Sequence, residues 1–67
     1  MMDLKTFIRV ARAKKGMSQK QLAEASGVSE CSICFIEIGK IKPRMTTLVK
    51  LAKALDVDED EILNYLN

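Results

Sequence analysis

Two cysteines three positions apart, Cys31 and Cys34, are the most reactive side chains in this 67-residue sequence. On a helix that spacing puts both thiols on one face, and a thiol in the first turn feels the positive end of the dipole, which favours thiolate. A redox switch is one chemistry such a pair could support. The plain alternative is two small apolar side chains that happen to fall there. A zinc site wants four ligands, and the chain has no histidine, so metal would require two chains or carboxylates. The pair is also too few and too close for the disulfide framework of a secreted domain. Catalysis finds no support: there is no histidine, no pair of carboxylates placed for a cleft and no Gly-rich phosphate loop, while Ser18 and Ser29 fall where helices begin. The expectation is a protein that is not an enzyme and needs no cofactor.

Charge is the stronger signal. Residues 1–55 hold all 11 Lys and Arg against four acids, whereas residues 56–67 hold five acids and no base. A basic body with an acidic end suits a polyanion that meets one side only. Lysines that merely solvate helix faces are the alternative. No apolar run approaches the roughly 20 residues that span a bilayer, and no basic-then-apolar leader is visible. A cytoplasmic protein with no membrane partner is therefore expected.

The elements that must position these side chains are helices. Leu4, Ile8 and Ala11 recur at helical spacing, with Phe7 beside them and Lys5, Arg9 and Arg12 between. This pattern predicts a helix over roughly residues 3–15 that Gly16 ends. Ser18-Gln19-Lys20-Gln21 reads as a capping box that opens a two-turn helix closed by Gly27. Ser29 offers the next N-cap, for a third helix from Glu30 to about Ile38 with Ile33 and Ile36 facing inward. Lys40-Ile41-Lys42-Pro43-Arg44 is a basic connector, since Pro43 disfavours helix at the residue before it. Leu48, Leu51, Ala52 and Leu55 mark a fourth helix beginning near Met45 or Thr46. Asp58-Glu59-Asp60-Glu61 reads as a second capping box, opening a fifth helix that docks through Ile62, Leu63 and Leu66. No strand pattern competes. One all-α domain over 1–67 follows, a compact arrangement of five short helices.

Residues 18–38 hold the informative unit, two helices joined by a tight turn. Gly27 supplies the positive φ the turn needs, Ala23 allows close approach, and Leu22, Val28 and Ile33 fill the wedge. The sequence here resembles the helix-turn-helix domains of the Cro and phage-repressor (XRE-like) family, with a lambda-repressor-like fold. The resemblance runs through Arg12, Gly16-Met17-Ser18-Gln19, Leu22-Ala23, Gly27-Val28-Ser29, Ile33, Glu37, Gly39-Lys40, Pro43, Leu48 and Leu51-Ala52-Lys53-Ala54-Leu55.

The resemblance implies residue roles. Gln19 and Lys20, opening the second helix, would meet backbone phosphate or an adjacent base. Glu30, Cys31 and Phe35 stand where the family reads bases, with Ser29 and Ser32 nearby. Lys40, Lys42 and Arg44 would hold phosphates beside them. Arg12 and Glu37 occupy the places of a structural ion pair tying the first helix to the third.

The pattern departs at the reading positions. Base edges offer donors and acceptors, so readers are usually polar. Glu30 could accept from a cytosine amino group and Phe35 could pack on a thymine methyl, yet neither is a bidentate contact, and Glu30 would repel phosphates. The expectation is a sequence-specific DNA-binding transcriptional regulator, a repressor, that inserts the helix from Glu30 into the major groove of double-stranded DNA. It would bind as a homodimer through Met45, Tyr65 and Leu66, by analogy with the family. The alternative is a protein-interaction module of antitoxin or antirepressor kind, using the Cys31–Phe35 face on a protein partner.

Overall fold

The computed structural model describes residues 2–66, apart from the side chain of Leu66. The chain forms α1 (Leu4–Lys14), α2 (Gln19–Ser26), α3 (Glu30–Glu37), α4 (Met45–Leu55) and α5 (Glu59–Leu63), followed by one 3-10 turn over Asn64–Leu66. No strand occurs among the described residues. The all-α, helix-turn-helix architecture expected from the sequence is present.

Each helix contributes apolar side chains at its own spacing to one core. Ile8, Leu22, Ile33, Leu48, Leu51 and Ile62 are 0% exposed. Each such burial is worth about 1.5–3 kcal/mol against the entropy of ordering the chain. α3 packs against α1 and α2, α4 packs against α2, and α5 packs on α4. Val28 and Ala23 pack against this core from the turn, as the wedge between α2 and α3 requires.

Caps set the boundaries. The α2 box is complete: Gln21 N–H donates to Ser18 Oγ at 3.0 Å, and Ser18 N–H donates to Gln21 Oε1 at 2.8 Å. α2 ends where Gly27 takes φ +77°, its N–H bonded to the Ala23 carbonyl at 2.9 Å. The second expected box differs. Asp58 Oδ1 accepts from Asp60 N–H at 2.9 Å rather than from Glu61, a tighter cap that opens a helix of only five residues. The chain after α4 turns on Asp56 at φ +56°, a left-handed position that Asp tolerates better than most residues with a Cβ. Ile62 and Leu63 pack on or into the core as expected. The Leu66 side chain, expected to dock with them, lies outside the described residues.

Candidate nucleic-acid interface

α3 has two contrasting sides. Ser29 starts it, its Oγ accepting from Ser32 N–H at 3.1 Å and its hydroxyl donating to Ser32 Oγ at 2.8 Å. Inward lie Ile33, Ile36 and Glu37, all buried; Glu30 and Cys31 are exposed, and Ser32, Cys34 and Phe35 are half-buried at the edge. Glu30 also sits in the first turn, where the helix dipole favours an acid. Both thiols are free, and no metal-ligand cluster exists among the described residues.

The turn after α3 folds a cation back over this outward side. Gly39 adopts φ +77°, which lets Lys40 N–H reach the Phe35 carbonyl at 2.8 Å. The Lys40 ammonium then lies 4.9 Å from the Phe35 ring centroid, within cation–π range. Lys40, Lys42 and Arg44 are all exposed around a buried Pro43. Of these three, Lys40 is the one seen directly against the outward side of α3. Lys42 lines a shallow groove with Asp3, Lys5 and Tyr65, and Arg44 heads α4 without a side-chain cap.

Behind this face the expected ion pair is present and bidentate. Arg12 donates from Nε to Glu37 Oε2 at 2.8 Å and from Nη2 to Oε1 at 2.9 Å, and from Nη1 to the Met17 carbonyl at 2.8 Å. Glu37 is 3% exposed and Arg12 21%. Hydrogen bonding to Glu37 raises the Arg12 pKa further above its already high value, so the guanidinium stays charged. Gln19 joins the knot, Nε2 donating to Glu37 Oε1 at 3.2 Å. Its amide is thus partly spent on the framework, with one N–H and the carbonyl still available. Lys20 is exposed beside it.

Two cations not singled out from the sequence, Lys5 and Arg9, line a cleft with Arg12, Gln19, Glu37 and Ile38. Their signal was present in the spacing: residues 5, 9 and 12 fall on one flank of a helix. Of the residues expected at a dimer contact, Met45 is 57% exposed. Tyr65 is half-buried and lies against Phe7, ring centroids 4.9 Å apart and planes at 31°. The Leu66 side chain is outside the described residues. No helix among those described is long and apolar enough to cross a membrane.

Comparison with known proteins matches residues 8–62 to the helix-turn-helix family model. An uncharacterized HTH-type transcriptional regulator of Archaeoglobus fulgidus is 36% identical over 62 residues, covering 92% of this chain and 89% of that protein. The uncharacterized HTH-type regulator y4dL of Sinorhizobium fredii is 39% identical over 51 residues, which are 76% of this chain and 26% of the longer relative. The crystal structure of the restriction-modification controller protein C.AhdI from Aeromonas hydrophila superposes with a TM-score of 0.84 at 32% identity, covering 88% of this chain and 89% of that one. The chain belongs to the helix-turn-helix family of DNA-binding transcriptional regulators.

Proposed function

We propose that the protein is a sequence-specific repressor that inserts α3, from Glu30, into the major groove. Glu30, Cys31 and Phe35 meet base edges, with Ser29 and Ser32 beside them. Gln19 and Lys20 at the start of α2, and Lys40, Lys42 and Arg44 after α3, hold phosphates. The observation that carries this reading is the pairing of an outward α3 face with the Lys40 ammonium folded over Phe35. A rod of side chains flanked by cations is what a duplex groove accepts. The absence of bidentate base readers points to a site recognised partly through phosphate contacts and DNA shape.

A homodimer completes the proposal. Two copies would set their α3 helices about 34 Å apart, one turn of duplex, with exposed Met45 a contact. Selection of bound sequences from random duplex tests all of this. The expected result is a two-fold symmetric motif with half-sites one turn apart. A pool that shows no enrichment, with binding that ignores salt, overturns the proposal. One observation favours a second reading, a protein-interaction module: Cys31, Cys34 and Phe35 make the edge of α3 unusually apolar for a base reader. That reading gains if Cys31→Ala and Phe35→Ala leave DNA binding intact while a protein complex is lost.

A further inference from the structure

We infer that Lys5 and Arg9 of α1 hold a DNA backbone phosphate, in the cleft they share with Arg12, Gln19, Glu37 and Ile38. This rests on the DNA-binding reading and extends the contact surface from α2 and α3 onto α1.

Residues 5, 9 and 12 stack along one flank of α1, because the helix repeats every 3.6 residues. Like charges at such spacing repel one another. Only one acid faces the three cations within the cleft. That acid, Glu37, already accepts two hydrogen bonds from Arg12 and one from Gln19. The cleft therefore keeps an excess of positive charge, and the Arg9 side chain makes no hydrogen bond or ion pair among the described residues.

The start of α2 adds to the attraction. Its capping box consumes the N–H groups of Ser18 and Gln21, which leaves those of Gln19 and Lys20 as first-turn donors without intrahelical partners. Gln19 stands both at that helix start and in the cleft wall. An anion seated there meets the positive end of an eight-residue helix and the Arg9 guanidinium together. A phosphodiester of the duplex has that charge and is delivered by the groove that α3 enters.

Lys5 has a structural role as well. Its stem crosses the end of α3, where a Cβ on Gly39 would come within 3.1 Å of Lys5 Cδ and 3.5 Å of Nζ. An ammonium near a helix C-terminus is favourable by itself. Arg9 has no such second duty, so it carries the test.

The measurement is fluorescence anisotropy of a labelled mixed-sequence duplex against KCl concentration, using the whole chain. Each phosphate contact contributes about 0.9 to the slope of log affinity against log salt. Arg9→Gln should lower that slope by about 0.9 and Arg9→Lys should restore it. Lys14→Gln removes a charge from the groove that also contains Phe7, Leu55 and Val57, on the other flank of α1, and should leave the slope unchanged. A steep wild-type slope that Arg9→Gln does not alter overturns the α1 contact and leaves DNA binding standing. A wild-type slope near zero overturns both. Because Arg9 is exposed, its variants should keep the wild-type unfolding midpoint; a slope change accompanied by unfolding counts against the contact.

Discussion

The inward and outward sides of α3 are built by opposite rules. Inward, Glu37 is 3% exposed and its carboxylate is bonded by Arg12 and Gln19, so that three helices meet at one satisfied knot. Outward, Glu30, Cys31 and Phe35 have no such knot among the described residues, and Phe35 lies beneath the Lys40 ammonium. A helix of eight residues thus carries a fixed framework on one side and replaceable side chains on the other. On the proposed reading, fold and recognition draw on different faces of α3, with Gln19 the residue that serves both.

The largest way to break that contrast is Glu37→Ala. Breaking a buried pair typically costs 3–5 kcal/mol, and the part-exposed Arg12 can rehydrate, so about 3 kcal/mol is expected. A chain of this size is stable by only about 3–10 kcal/mol in total. Urea unfolding should show the midpoint fall sharply for Glu37→Ala, and by less than about 0.5 kcal/mol for the exposed Cys31→Ala. Equal losses for the two variants would erase the distinction between faces.

Next in size is Gly27→Ala, in the turn that sets α3 against α2. A Cβ at Gly27 meets nothing within 4 Å, so its cost is purely that of φ +77° for a residue with a side chain. About 1–2 kcal/mol of stability should be lost, read again from urea unfolding. Asn, which tolerates that conformation better, should lose less. If Ala and Asn cost the same, the turn is not held by its backbone geometry.

On the outward side the effect moves from stability to binding. Glu30→Gln removes a carboxylate from a face proposed to lie among phosphates. Affinity for mixed-sequence duplex should rise a few-fold at low salt, by less than about 1 kcal/mol, and the gain should shrink as salt screens it. Anisotropy titration at two salt concentrations reads this directly. Lower affinity of Glu30→Gln for this mixed-sequence duplex would overturn the placing of the carboxylate among phosphates.

How far the sequence disclosed this design follows the same division. The helices were legible because their signals are local: Ser18 with Gln21, Ser29, Gly27, and the spacing of Leu48, Leu51 and Leu55. The Arg12–Glu37 pair follows from family resemblance, and the structure adds Gln19, whose amide hydrogen bond to Glu37 depends on how α2 packs against α3. The left-handed Asp56 escaped because no glycine marks it. Arg9 and Lys5 were seen as the polar side of α1, and only the tertiary placement of α2 and α3 turned that side into a cleft. Partners across the fold have no short-range signature in the chain.

The smallest prediction concerns the start of α1, where an exposed acid should act locally in the way the outer face of α3 does. Asp3 Oδ1 accepts from Thr6 N–H at 3.1 Å, and hydrogen bonding from Thr6 holds its pKa below the usual carboxylate value. A carboxylate depressed on folding stabilises the folded state above its unfolded pKa, and that contribution disappears as pH falls through the folded one. Acid should therefore loosen the first turn of α1, seen as faster amide exchange at Thr6 relative to Ile33 in the core. Asp3→Asn keeps an N-cap oxygen and cannot titrate, so its Thr6 protection should be flat across the same acid range. A global midpoint that tracks Asp3 protonation would show the helix start coupled to the buried knot, and the separation of local from global effects would fail at this end of the molecule.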